Sequence, residues 1–470
     1  PATWPRMPAA VAEIVARTGG RRRGQRSASG VRLARMDGRA DVGRSDAEPV
    51  SRDASDLTPV LSRRDVLRAA AFGGVALFLA ACGSSASPGP SAAAGPTASP
   101  SPTASSSPTA SAQSSSTAPT PTPTPTSTVD LAHKIAGLMV VGFRGTDLAD
   151  APWIRTALAE SGLGGVILFD RDQLTGGSRN IVSPAQVKRL TRSLRASAPG
   201  RAIIVSLDQE GGVVTRLGPS HGFPAVASEA TIGAGSASAA RTWAHAIATT
   251  LAANGFDLNF APVVDLGVNP DSPAIGALDR SFSADPDVVV ARATTEIDAH
   301  RAAGVRTTLK HFPGIGSSTT NTDFGVTDVT KTWTRAELEP FRRLIAAGEV
   351  DLVMAGHVVN GQLDADHPAS LSNAVVTDLL RGELGWDGIV VTDDLQATAI
   401  TKAFGRDEAV LLALEAGNDL LLFANQQLYD SKLVARVVTV VSAAVASGRI
   451  PETRIDEAYD RVQALFGSTG

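Results

Sequence analysis

From residue 138 onward, short apolar runs recur at fairly even spacing. They are Leu138–Phe143, Gly165–Phe169, Ala202–Leu207, Asp257–Pro262, Thr307–Lys310, Leu352–Gly356, Gly388–Thr392 and Asp419–Phe423. Most carry β-branched or aliphatic side chains on successive positions, the pattern of strands covered on both faces. Between them lie segments with apolar residues at helical spacing: Ala185–Ala198, Ala239–Ala253, Val288–Ala303, Ala336–Ala347, Val375–Leu384, Glu408–Ala416 and Leu433–Ala446. Gly255, Gly304, Gly348 and Gly417 follow four of these segments, where a glycine suits the end of a helix. Eight strand candidates alternating with helices predict an α/β protein built as one (β/α)8 TIM barrel, a single catalytic domain over residues 130–470. A doubly wound open sheet would also alternate. It does not account for eight even units with polar residues at so many strand ends.

Those polar residues are Asp170, Asp208, Lys310 and His311, His357, and Asp393 and Asp394, each at or just past the C-terminal end of a predicted strand. In a barrel of this kind that face carries the active site. Any one of them could merely solvate a loop, but together they mark a site. Asp393 ends the run Ile389–Thr392 and is expected to face the barrel mouth, whereas an N-capping role suits Asp394. His221 and His367 fall in loop-like sequence and are expected to be exposed.

Composition changes the picture upstream. Residues 83–129 are almost entirely Ser, Pro, Thr, Ala and Gly, without charge or apolar periodicity. Such a segment cannot offset the entropy of ordering and is expected to be a disordered linker. Before it, residues 62–82 carry the Arg63-Arg64 pair, an apolar run from Ala69 to Ala81 too short to span a bilayer, and Leu79-Ala80-Ala81-Cys82. This predicts an export signal ending in a lipobox, with Cys82 as the lipidation site and a membrane anchor rather than a spanning helix. Cys82 is the only cysteine of the chain, so no intrachain disulfide forms. The expected location is the outer face of a bacterial cytoplasmic membrane. Residues 1–61 are polar and Arg-rich and receive no fold. The net charge of −4 and the lack of a basic stripe in the barrel region give no sign of nucleic-acid binding. No cluster of His, Cys and carboxylates has metal-ligand spacing and no phosphate-cradling loop stands out, so neither metal nor cofactor is expected.

The most specific string is Lys310-His311-Phe312-Pro313-Gly314-Ile315-Gly316, followed by Asn321-Thr322-Asp323. It resembles the catalytic loop of the single-domain β-N-acetylglucosaminidase branch of glycoside hydrolase family 3, which reads K-H-F-P-G-H-G, four residues, then D-S-H. Asp208-Gln209-Glu210-Gly211-Gly212-Val213-Val214-Thr215-Arg216, Asp279-Arg280-Ser281-Phe282 and Asp257–Asp265 also resemble segments of that family. The resemblance spans about Leu131 to Leu465. It implies a retaining exo-glycosidase acting on terminal β-linked N-acetylglucosamine or a related sugar, with cell-wall glycan fragments as substrate. Asp393 would be the nucleophile, and Asp208, Arg216, Arg280, Lys310 and His311 would hold the sugar, with His357 a lesser candidate and Asp265 mainly structural.

The loop departs from the family where proton transfer is done. Ile315 replaces the first loop His, Asn321 the partner Asp, and Asp323 the acid/base His. A carboxylic acid kept protonated by burial can serve as general acid, with a neutral Asn as partner. Asp323 is therefore the candidate acid/base. A sugar-binding protein with little or no turnover, or a β-glucosidase-like hydrolase, remains open at this point.

Overall fold

The computed structural model describes residues 129–321 and 325–467. The segments 1–61, 62–82 and almost all of 83–129, and with them Cys82, lie outside the described residues, as does Asp323.

Eight parallel strands form one sheet: β1 (Met139–Gly142), β2 (Gly165–Ile167), β3 (Ile204–Leu207), β4 (Leu258–Asn259), β5 (Arg306–Phe312), β6 (Leu352–Ala355), β7 (Ile389–Thr392) and β8 (Leu421–Phe423). Their order is β7-β6-β5-β4-β3-β2-β1-β8. A parallel bridge between Val391 and Leu420 joins the two ends of that order and closes the barrel. Seven of the eight predicted runs contain one strand, and the eighth, Thr307–Lys310, lies within the longer β5. β4 is shorter than its run because Pro262 has no N–H to give to a ladder; pairing resumes as a bridge between Val263 and Lys310.

The helices between the strands begin where the sequence supplies caps. Ser183 accepts from the Gln186 amide ahead of Pro184–Ala196, and Ser236 from the Ala239 amide ahead of Ala237–Ala253. Asp285 does so for Pro286–Ala302, with a proline in its first turn. Each such cap is worth about 1 kcal/mol. Gly255, Gly304 and Gly348 sit one residue past a helix cap with φ of 78°, 76° and 71°. Five helical segments of five residues or more were not anticipated: Leu131–Gly137, Pro152–Ser161, Glu229–Gly233, Thr398–Phe404 and Glu452–Phe466.

The two ends of the barrel are built differently. At the N-terminal end the buried Asp419 carboxylate accepts from Arg381 at 2.6 Å, from Arg454 and Arg461 at 3.2 Å, and from the Val390 amide at 3.0 Å. This locks β7, β8 and the last helix together. At the C-terminal end Arg179, fully buried, pairs with Asp172 and donates to the carbonyls of Phe143, Ala424 and Asn425. The loops after β1, β2 and β8 are thereby fixed around the mouth. Burial lowers Arg179 to about 10, so it stays charged.

Candidate active site

The C-terminal ends of the strands enclose a cavity of about 190 Å³. It is lined by Asp208, Arg216, Arg280, Lys310, His311 and Asp393, so all six described site residues read from the sequence meet there. A larger cavity of about 520 Å³ lies between Leu217–Ala227 and the helix Ala237–Ala253. No ionisable side chain lines it, and it is separate from the chemistry.

One ion network organises the sugar-binding side. Lys310, from β5, is buried, and its Nζ donates to Asp208 Oδ1 at 3.0 Å and reaches Glu210 Oε1 at 2.6 Å. Arg280 forks onto Glu210 through Nε and NH2, both at 2.8 Å, and donates from NH1 to the Ala274 carbonyl. Arg216 NH2 donates to Asp208 Oδ2 at 3.4 Å. The Arg216 guanidinium stands 5.2 Å from the centre of the Phe169 ring, and its Nε is buried without a partner among the described residues. Asp208 thus accepts from two cations and remains half-buried, able to take sugar hydroxyls.

Glu210 is the member the sequence reading missed. It lies in the short strand Gln209–Gly211, which pairs with Val214–Thr215 to form a ribbon over the barrel mouth. Gly211 and Gly212 turn the ribbon with φ of 101° and 57°, and a Cβ on Gly211 would meet the Ala227 carbonyl at 2.2 Å. Burial pushes the Glu210 carboxyl up, but the charges of Arg280 and Lys310 outweigh it and hold the group below the ordinary range. The same arrangement keeps Lys310 charged: burial lowers it, and Glu210 and Asp208 raise it further.

His311 also follows from β5. Its Nδ1 bonds Asp265 Oδ2 at 2.7 Å, and Asp265 accepts from the amides of His311 and Ile315 at 3.1 and 2.8 Å. Asp265 accepts from both amides, and Nδ1 faces the same carboxyl; Nε2 has no partner among the described residues. Asp265 is fully buried and structural as expected, since it fixes both this ring and the start of the loop. Ile315 is 1% exposed and packs in the core, so this departure from the family string fills apolar space. Asn321 lines the cavity and donates to the Pro273 carbonyl at 3.3 Å.

Asp393 follows β7, half-buried. Its Oδ1 accepts from the Asp394 amide at 2.8 Å. Burial raises its carboxyl, but the neighbouring His357 and His311 rings, the Asp394 amide and Lys310 outweigh this and hold it below its ordinary value. A carboxylate kept ionised in such a place is a competent nucleophile.

Three expectations need correction. Asp394 caps no helix: the next one, Thr398–Phe404, begins without a side-chain cap, and Asp394 Oδ1 accepts from Gln396 and Ala424 amides instead. His221 is half-buried, with Nε2 3.8 Å from Asp170, because the loop after β3 folds back over the mouth. His367 is half-buried against the Phe404 ring, 5.9 Å between centres.

Residues 130–465 match the glycosyl hydrolase family 3 N-terminal domain. The chain belongs to glycosyl hydrolase family 3. It is 37% identical over 308 residues to a β-hexosaminidase of Xanthomonas euvesicatoria, covering 63% of this chain and 86% of that protein. Among solved structures it is similar to a family 3 β-N-acetylglucosaminidase from Paenibacillus sp., with 37% identity and a TM-score of 0.65 over 72% of this chain; it spans 62% of that larger protein. The β-N-acetylhexosaminidase of Beutenbergia cavernae matches with 32% identity and a TM-score of 0.64, covering 72% of this chain and 99% of that one.

Proposed function

We propose that this glycoside hydrolase is a retaining, exo-acting β-N-acetylhexosaminidase that removes terminal N-acetylglucosamine or a closely related sugar. The observation that carries this is Asp393, a carboxylate held ionised in the same 190 Å³ cavity as Asp208, Arg216 and Lys310. The charged groups that line it, Asp208, Arg216, Arg280 and Lys310, are suited to gripping the hydroxyls of one terminal ring.

In the first step an Asp393 oxygen attacks the anomeric carbon, forming a glycosyl ester as the bond to the leaving oxygen breaks. Asp323 gives its proton to that oxygen. In the second step Asp323 takes a proton from water, whose oxygen attacks the same carbon and frees Asp393. Asp208, Arg216 and Lys310 grip the hydroxyls throughout. This role for Asp323 rests on its place in the loop sequence and on the family resemblance. Peptidoglycan fragments as the source of the sugar, and an anchor at Cys82 that holds the enzyme outside the cytoplasmic membrane, belong to the same proposal. The lipobox-like sequence supports the anchor. Among the described residues no helix is long and apolar enough to cross a membrane.

A sugar-binding protein with feeble turnover is the second reading, favoured by the loop's lack of any His beyond His311. The test is a panel of aryl β-glycosides with the product anomer followed by proton NMR. Release from the N-acetylglucosaminide with the β-anomer formed first, abolished in Asp393→Asn, is expected. Saturable binding without turnover would establish the second reading. A preference for the glucoside would make it a β-glucosidase.

A further inference from the structure

The peptide that carries Asp393 is held on both sides by the end of β6. On one side the Asp393 amide donates to the Ala355 carbonyl at 3.1 Å. On the other, His357 Nε2 lies 2.8 Å from the Asp394 carbonyl oxygen. A carbonyl only accepts, so Nε2 carries the proton. The second ring nitrogen, Nδ1, lies 2.7 Å from Ser370 Oγ, which sets the rotation of the ring. Both His357 and Ser370 are buried, at 3% and 0% exposure, and the Ser370 amide donates to the Gly356 carbonyl at 3.0 Å. The Asp394 residue thus has its carbonyl, in the peptide to Leu395, fixed by His357, and its N–H, in the peptide from Asp393, fixed on Asp393 Oδ1. Holding Oδ1 in this way leaves Oδ2 as the oxygen without a protein partner among the described residues.

We infer that His357 is a positioning residue for the nucleophile: by clamping the Asp394 carbonyl it orients the amide that holds one oxygen of Asp393, so that the other faces the anomeric carbon. His357 does not touch the sugar in this account. It acts through the two peptide planes that meet at the Asp394 Cα, and a small rotation about that Cα moves the attacking oxygen. A displacement of about 1 Å at a reacting atom costs on the order of 10²-fold in rate. The inference rests on Asp393 being the nucleophile.

The test compares wild type with His357→Ala, His357→Gln, Ser370→Ala and Asp393→Asn in the full chain. The readouts are kcat on an activated aryl N-acetylglucosaminide and the inhibition constant of free N-acetylglucosamine. Gln reproduces the clamp, since its Nε2 can donate to the Asp394 carbonyl and its Oε1 can accept from Ser370. His357→Ala should lower kcat on the order of 10²-fold while the inhibition constant moves less than about 3-fold. His357→Gln should recover at least about tenfold of that loss, and Ser370→Ala should show a smaller kcat-only loss. If His357→Ala does not fold, the other two variants decide. A His357→Gln enzyme with less than a tenth of wild-type kcat, or a Ser370→Ala enzyme with wild-type kcat, overturns the clamp. Equal loss of kcat and product affinity in His357→Ala also overturns it, because that marks a packing residue. Activity in wild type that Asp393→Asn abolishes and His357→Ala leaves intact sinks this inference alone. An inactive wild type sinks the hydrolase reading and leaves nothing to position.

Discussion

Replacing Glu210 by Gln tests whether the sugar site depends on one buried carboxylate that need not touch the sugar. Gln keeps the shape and one carbonyl oxygen, which can still accept from Lys310. Its amide nitrogen, however, would take the place of Oε2 and face Arg280 Nε, donor against donor. The Arg280 Nε bond at 2.8 Å is then lost, and the Arg280 NH2 bond at 2.8 Å and the Lys310 contact at 2.6 Å, both on the remaining oxygen, lose their charge. Removing one partner of a buried ion pair costs about 3–5 kcal/mol, because the remaining charge stays buried. Asp208, 3.0 Å from Lys310, takes up part of that charge, which argues for the lower end. For a folded part of about 340 residues the unfolding entropy is about 0.7 kcal/mol per kelvin, so the melting temperature should fall by about 4–7 °C. Lys310 and Arg280 would also lose their set positions, and affinity for free N-acetylglucosamine should drop by about tenfold or more. Differential scanning fluorimetry and a competition assay read both quantities on one preparation. A Glu210→Gln protein with wild-type melting temperature and wild-type affinity would refute the view that Glu210 organises the site.

Other outcomes follow from the same reasoning. Burial raises the Glu337 carboxyl to about 7, and its Oε2 accepts from the Ser317 amide at the base of the catalytic loop. The folded protein therefore keeps a proton that the unfolded chain loses above about pH 4.5, so this group makes stability fall as pH rises from there to about 7. Urea unfolding at about pH 4 and about pH 8 should show wild type losing about 3 kcal/mol more than Glu337→Gln; parallel behaviour of the two would contradict the assignment. Asp323→Ala should slow substrates with poor leaving groups on the order of 10²–10⁴-fold and spare activated aryl glycosides, read from kcat/KM across a leaving-group series. Cys82→Ala should move the protein from the membrane fraction to soluble material, and retention unchanged in that variant would rule out the lipid anchor.

The barrel was readable because its strands are covered on both faces, so each appears as an unbroken apolar run, such as Ile389–Thr392 or Leu421–Phe423. The helix Leu131–Gly137 escaped notice because its apolar residues merge with the run that becomes β1, and Glu452–Phe466 because its polar face dominates. At the site, Asp208, Lys310 and His311 showed as polar residues at strand ends and Arg216 only through its string's resemblance to the family, and the structure brings all four to one cavity. Glu210 was present in the same string and carried a usable signal: a carboxylate between a strand end and a glycine pair must be paired if the glycines let the backbone close in. The fork from Arg280 to Glu210 spans 70 residues, and the approach of His221 to Asp170 depends on a loop folding back. Neither leaves a trace in local pattern. Asp394 misled for a related reason. Its partners are the Ala424 amide, across the barrel seam, and Gln396, rather than a helix beginning beside it.

The central claim is that Asp393 forms a covalent bond to the sugar. The direct measurement is intact and peptide mass spectrometry after incubation with a 5-fluoro N-acetylglucosaminyl fluoride, which slows breakdown of the glycosyl ester. The account predicts one added sugar, located on the peptide containing Asp393, in wild type and none in Asp393→Asn. Turnover of aryl N-acetylglucosaminides with no adduct, or an adduct on another residue that persists in Asp393→Asn, would contradict it.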